Sequence, residues 1–219
     1  RNHRDVINID MSKLARCLEF SSKDETRLQL NGIAINGGYL VATDGHTLQR
    51  FELIKKLEHD YIMPSSSLKI LLKLLKGYKL TGLVTLELNE QWATVENSQF
   101  TFSMRLIQRE FPRWQNIIPV SFMNEIELIG WSNILESLSL FKTDKRYSCT
   151  LEASEGVVTL TPKGFPNDKF ILGKSDSDFK IGFNFDYLVR AANKQDAFSI
   201  KFNNELAPCE INEAIIMPL

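Results

Sequence analysis

Apolar and polar residues alternate along much of this chain in short runs, as in residues 6–10 and 84–88. A period of two predicts β-strands with one buried face. Other segments space their apolar residues three and four positions apart, which predicts amphipathic helices. The clearest of these opens at Pro64-Ser65, and its apolar stripe comprises Leu68, Leu71, Leu72 and Leu75.

The order of these predicted elements occurs twice. Each half reads as strand, helix, three strands, helix and three strands, with a further strand before the second helix, at an offset of about 120 residues. Residues 111–119 are irregular and flanked by prolines, as expected of a linker. The sequence therefore predicts an α+β chain of two domains, 1–119 and 120–219, each with two helices packed on antiparallel sheets.

Boundaries of the helices follow from the same patterns. The first helix is expected to begin after an N-cap at Ser12, the third to span 132–142, and the last to span 186–193. Residues 28–35, 39–42 and 47–53 are predicted to form a three-stranded meander. Asp44-Gly45 supplies its tight turn, because glycine accepts a positive φ at no steric cost.

Asp44 and His46 in this turn could be a catalytic pair. An Asp-x-His segment on a hairpin is more typical of turn chemistry, however, and no nucleophile, metal cluster or glycine-rich phosphate loop accompanies it. The alternative of an enzyme therefore has weak support, and we expect no catalytic residue, metal or cofactor.

Composition and charge limit the possible functions further. The 219 residues carry a net charge of −1, so binding to nucleic acid would require positive charge sorted onto one face. Cys17, Cys149 and Cys209 are dispersed, which argues against a disulfide framework or a cysteine zinc site and fits a reducing cytoplasm. No apolar run approaches the length of a membrane span, and we expect neither a membrane segment nor a signal peptide.

Basic residues recur on the predicted helices. A solvated surface is the commonest role of such charges, but their presence on all four helices of an acidic chain indicates charge segregation. These candidate DNA-binding residues are Lys13, Arg16, Lys69, Lys73, Lys76, Lys142, Arg190 and Lys194.

Several segments resemble the second and third domains of the bacterial DNA polymerase III beta subunit, the sliding clamp. The segments are 24–27 (Asp-Glu-Thr-Arg), 30–32 (Leu-Asn-Gly), 41–48 (Val-Ala-Thr-Asp-Gly-His-x-Leu), 105–107 with Phe111-Pro112, 117–119, 139–141, 182–188 (Gly-Phe-Asn-x-x-Tyr-Leu) and 215–218 (Ile-Ile-Met-Pro). They extend over nearly the whole chain.

This resemblance implies a DNA-clamp fold in which six domains close into a ring around duplex DNA, with helices lining the hole. It implies a non-enzymatic processivity factor in the cytoplasm that holds DNA without reading its sequence. Three copies of a two-domain chain would supply the six domains, by self-association into a homo-oligomeric ring.

The resemblance also implies a peptide pocket at the domain junction, where DNA polymerase and the clamp loader dock short apolar motifs. The implied peptide-binding residues are Arg27, Leu30, Thr43, Gly45, His46, Leu48, Pro112, Ile117, Asn184, Tyr187, Leu206, Pro208, Ile215, Ile216, Met217 and Pro218. Because the family's first domain has no counterpart here, an alternative stays open: a clamp-derived peptide-binding adaptor, or a clamp fragment, that does not close on DNA.

Overall fold

The computed structural model describes residues 3–141 and 147–219. The chain divides into two compact units, unit 1 (Arg1–Arg113) and unit 2 (Trp114–Leu219). Lys142, which the sequence placed at the end of the third helix and among the DNA-binding residues, lies outside the described residues.

Unit 1 contains two helices and two antiparallel sheets. Its elements are β1 (Asp5–Asp10), α1 (Met11–Leu18), β2 (Gly32–Asn36), β3 (Tyr39–Thr43), β4 (Thr47–Glu52), β5 (Tyr61–Pro64), α2 (Ser65–Gly77), β6 (Leu83–Leu88), β7 (Trp92–Glu96) and β8 (Thr101–Arg105). One sheet has the order β1-β6-β7-β8 and the other includes β5-β2-β3-β4. Helix α1 packs on β2, β3 and β4 and against α2.

Unit 2 repeats this arrangement. Its elements are β9 (Asn124–Ile129), α3 (Trp131–Ser139), β10 (Ser148–Ser154), β11 (Val157–Pro162), β12 (Phe170–Lys174), β13 (Phe179–Asn184), α4 (Phe185–Ala192), β14 (Ala197–Phe202), β15 (Cys209–Ile211) and β16 (Ala214–Ile216). The order β12-β11-β10-β13 corresponds to β4-β3-β2-β5, and β9-β14-β15-β16 to β1-β6-β7-β8. The α+β class and the repeated order of elements are therefore confirmed.

The core of unit 1 explains the helical periodicity of α2. Leu68, Leu71 and Leu75 are buried, while Leu72 is half-buried at the margin of the stripe. Full burial of a leucine side chain contributes about 1.5–3 kcal/mol, so these three residues fix which face of the helix points inward. The opposite face is left for the lysines.

Several boundaries differ from the predictions. Asp10, not Ser12, caps α1, because its carboxylate accepts from the backbone N–H of Ser12 at 2.8 Å. Residues Leu28–Leu30 form a 3₁₀ turn rather than the start of a strand, which begins at Gly32. Helix α3 ends at Ser139, and α4 ends at Ala192 because Asn193 takes a left-handed conformation.

The structure also shows the state of the three cysteines and the length of the helices. Cys17, Cys149 and Cys209 are buried free thiols. In the described part of the chain, no helix is both long and apolar enough to cross a membrane.

Candidate DNA-binding and peptide-binding surfaces

Helix α2 carries the strongest positive surface among the described helices. Lys69, Lys73 and Lys76 are all exposed and lie on the side opposite the buried leucines. The helix contains no acidic residue, so these three charges have no neutralising partner within it. This lysine face can attract phosphate groups without recognising bases.

The basic residues of α1 differ from one another. Lys13 is exposed, and its Nζ lies 5.6 Å from the centre of the Phe51 ring. Arg16 is half-buried, pairs with Glu19 at 2.5 Å and stacks its guanidinium 4.8 Å from the centre of the Phe20 ring. The Glu19 carboxylate therefore neutralises part of the Arg16 charge, and Lys13 is the more accessible of the two cations for phosphate binding.

The basic residues of unit 2 are split between a helix and the turn that follows it. Arg190 lies on α4, with its guanidinium carbon 5.5 Å from the centre of the Tyr187 ring. Lys194 lies beyond the helix, next to Asn193, and both residues have positive φ angles. The prediction that Lys194 belongs to the last helix is therefore wrong, because the left-handed turn ends the helix before it.

The β3–β4 turn is held by its own side chains. Oδ1 of Asp44 accepts from the backbone N–H groups of His46 and Thr47 at 2.9 and 2.7 Å, and from the Thr47 hydroxyl at 3.0 Å. The buried Thr43 hydroxyl donates to the Thr47 carbonyl at 2.7 Å and accepts from the Gly45 N–H at 3.1 Å. Asp44 thus acts as a turn residue, and His46 is presented on an exposed tip.

Arg27 lies over this turn. Its guanidinium donates to the Asp44 carbonyl at 3.4 Å, and a Cβ at Gly45 would lie 2.8 Å from its Nη2 atom. The loop that carries Arg27 is fixed by Asp24, which accepts from the Thr26 hydroxyl at 2.6 Å and from the Thr26 N–H at 2.9 Å. These two hydrogen bonds, with the charge of Arg27, lower the pKa of the Asp24 carboxyl. The structure therefore brings the 24–27 and 43–46 segments together.

The remaining predicted peptide-binding residues of unit 1 differ in exposure. Leu30 and Leu48 are fully buried and belong to the core of the unit, whereas Pro112 is exposed.

In unit 2, Asn184 is the N-cap of α4 and accepts from the N–H groups of Asp186 and Tyr187 at 2.9 and 3.3 Å. Tyr187 is half-buried in the first turn of the helix. This cap fixes the residue at which α4 begins and therefore the position of the Tyr187 side chain on the unit.

The other predicted residues of unit 2 fall into two groups. Ile215 and Ile216 are buried in β16. The rest reach the surface, where Ile117 and Leu206 are exposed and Pro208, Met217 and Pro218 are half-exposed. The chain end is held by a hydrogen bond from the Leu219 N–H to the Gly182 carbonyl at 2.8 Å.

Sequence reasoning missed one polar cluster. His3, Asp5, His59 and Tyr61 converge in unit 1, with the Tyr61 hydroxyl donating to Asp5 at 2.7 Å. The available signal was a pair of short motifs, His-x-Asp at 3–5 and His-x-Tyr at 59–61, each of which ends on the first residue of a strand.

The duplicated arrangement of two helices on two antiparallel sheets defines a clamp-type α+β fold. The sliding clamp of Bartonella birtlesii, solved with griselimycin bound, has this fold, with a TM-score of 0.80 at 24% identity over 98% of this chain and 65% of that one. The DNA polymerase III beta subunit of Thermotoga maritima aligns with a TM-score of 0.77 at 21% identity over 98% of this chain and 65% of its own.

The amino-acid sequence is also similar to those of bacterial beta sliding clamps. Those of Pseudomonas aeruginosa PAO1 and Pseudomonas putida KT2440 are 25% and 23% identical over 201 and 202 residues, covering 83% of this chain and 54% of each relative. No family model matches the chain. The resemblance inferred from the sequence is confirmed, and the chain spans about half the length of the curated relatives it matches.

Proposed function

We propose that this chain acts as a non-enzymatic DNA sliding clamp that encircles duplex DNA and tethers a polymerase to it. The observation that carries the proposal is the lysine face of α2, which is exposed opposite a leucine core in a chain of net charge −1. The similarity to beta sliding clamps supports it. Its place of action would be the bacterial cytoplasm, where DNA is replicated.

Electrostatic attraction to duplex phosphate would be long-range and independent of base sequence. Lys69, Lys73 and Lys76 would supply most of it, with Lys13 and Arg190 adding to the field. Arg16 would contribute less because Glu19 pairs with it. Direct binding should therefore be weak and fall steeply as salt rises, since counterion release drives it.

Charge reversal tests this role. In Lys69→Glu/Lys73→Glu/Lys76→Glu we expect affinity for a short duplex to fall at least tenfold, measured by fluorescence anisotropy at low salt. The matched control reverses Lys23, Lys55 and Lys56, which are also exposed but lie outside the helices, and so changes net charge equally. Equal losses in the two variants would contradict a DNA-binding lysine face.

Ring closure would require six domains, which three copies of this two-domain chain provide. Sedimentation at micromolar concentration should then show a species near three times 25.1 kDa. A monomer at every concentration tested would contradict the trimer. It would favour either a dimer of a longer chain or the peptide-binding adaptor.

Short apolar motifs of a polymerase and a clamp loader are the proposed protein partners. The Bartonella birtlesii clamp, whose fold this chain shares, was solved with griselimycin bound. The exposed His46 and the half-exposed Tyr187 and Met217 would contact the peptide, and Arg27 would hold the turn that carries His46. A single pocket shared by the residues of both units stays a prediction.

Peptide binding can be measured directly. A labelled peptide with spaced leucine and phenylalanine residues should bind with micromolar affinity. Tyr187→Ala and deletion of Met217 to Leu219 should each weaken it at least tenfold, while Tyr78→Ala, an exposed aromatic position on the other unit, should not. Unchanged affinity in both former variants would move the site elsewhere.

A second candidate function is a peptide-binding adaptor that does not close on DNA. The observation that favours it is that His46 and Leu206 are exposed and could contact a peptide without ring closure. The adaptor predicts peptide binding without topological retention on DNA, and retention therefore separates the two candidates.

A further inference from the structure

The polar cluster of unit 1 combines the ligand types of a transition-metal site. His3 Nε2 lies 2.8 Å from Oδ2 of Asp5, and the rings of His3 and His59 are 3.6 Å apart between their centres. One ligand atom from each of these three residues lies within 4.8 Å of the others. Two imidazoles and one carboxylate suit zinc, cobalt or nickel far better than magnesium or calcium.

The backbone explains why the three side chains meet. Asp5 is the first residue of β1, and His3 lies two residues before it, where its Nε2 reaches the Asp5 carboxylate. Tyr61 is likewise the first residue of β5, and His59 lies two residues before it in a bend. Arg4, between the first pair, pairs instead with Glu87, so its charge is directed away from the cluster.

Tyr61 forms hydrogen bonds to two members of the cluster, His3 and Asp5. Its hydroxyl lies 2.6 Å from His3 Nε2 and donates to Asp5 Oδ2 at 2.7 Å, and the residue is 5% exposed. A donor of this kind orients a metal-binding carboxylate and strengthens the site. The Asp5 and His3 side chains are 12% and 21% exposed, while His59 is exposed, so an ion could enter from the solvent side.

The distances require only a small adjustment for metal binding. An ion with tetrahedral bonds of about 2.1 Å sets its ligand atoms about 3.4 Å apart. His3 Nε2 and Asp5 Oδ2 are 2.8 Å apart and would have to separate by about 0.6 Å, the exposed His59 ring would have to turn toward them, and water would fill the remaining positions.

We propose that His3, Asp5 and His59 form a binding site for a divalent transition-metal ion of the zinc type, which ties the start of β1 to the segment that leads into β5. These strands belong to different sheets of unit 1, so the ion would link the two sheets. The sequence predicted no metal site because its cysteines are dispersed, whereas this site rests on histidines. It does not depend on the proposed clamp function.

The three histidines of the chain provide a matched experiment. The full chain, purified without a polyhistidine tag, is titrated with Co²⁺ and followed by visible absorption, and Zn²⁺ and Mg²⁺ are then tested as competitors. We expect saturable micromolar binding that Zn²⁺ displaces and Mg²⁺ does not. His59→Gln should lose at least tenfold in affinity, while His46→Gln, on the β3–β4 turn, should bind as the wild type does.

Two further measurements separate ligation from a folding defect. Tyr61→Phe keeps all three ligands and should bind about tenfold to a hundredfold more weakly. Zn²⁺ should raise the melting temperature of the wild type and of His46→Gln, because it binds only the folded state, but not that of His59→Gln. Absence of saturable Co²⁺ binding, or equal affinity in His59→Gln and His46→Gln, would overturn the proposal.

Discussion

The guanidinium of Arg27 occupies the space next to Gly45 that a side chain at that position would need. A Cβ there would lie 2.8 Å from Nη2 and 2.9 Å from Nη1 of Arg27, and the φ of Gly45 is +90°. Two conditions therefore favour glycine at the tip of the turn: the backbone conformation and the close approach of Arg27.

Gly45→Ala should consequently destabilise the protein by about 1–2 kcal/mol, mostly through strain at positive φ, and should displace Arg27. Urea denaturation measures the loss, and peptide affinity should fall in parallel. Gly77→Ala is the control, since nothing lies within 4 Å of its added Cβ and alanine favours the helix. The account of the turn is wrong if Gly45→Ala is as stable as the wild type.

Helix α1 should depend on Asp10 more than on Ser12. Hydrogen bonds from the Ser12 hydroxyl and backbone N–H lower the pKa of Asp10 below 3.8. A carboxyl with a lowered folded-state pKa stabilises the protein above its unfolded pKa, and this contribution is lost as pH falls through the folded value.

Asp10→Ala should therefore reduce stability at pH 7 more than Ser12→Ala does, and the difference should shrink well below pH 3.8. Thermal melts of both variants at pH 7 and in acid check this. A cap role for Ser12, as the sequence suggested, would give the opposite ranking.

The leucine stripe and the solvent side of α2 should respond very differently to truncation. Leu71→Ala removes a fully buried side chain and should cost about 2–5 kcal/mol. Ile70→Ala, one position away and 54% exposed, should cost far less. Chemical denaturation of the pair measures both, and similar losses would mean that the helix is rotated from the orientation described.

The order of strands and helices could be predicted from the sequence, because apolar residues recur with a period of two in strands and 3.6 in helices. Both halves of the chain keep these periods although few of their residues are identical. The hairpin at Asp44-Gly45 was predictable for the same local reason. Cap positions were harder, since Asp10 and Ser12 both suit an N-cap and only the backbone direction at β1 decides between them.

Interactions distant in sequence were the least predictable. Nothing local indicated that Arg27 would lie over Gly45, or that His3 and Asp5 would meet His59 and Tyr61. Lys194 was placed on a helix because spacing alone cannot show that Asn193 adopts a left-handed conformation and ends it.

Topological retention on DNA tests the central claim most directly. The protein is loaded onto a nicked circular plasmid by its matching clamp loader, washed with high salt, and the circle is then cut once. Encirclement predicts that the protein stays on the circle through the wash, because topology is independent of salt, and leaves within minutes of the cut by sliding off the ends. Retention on the cut DNA equal to that on the circle, or loss from the intact circle during the wash, would contradict the sliding-clamp account.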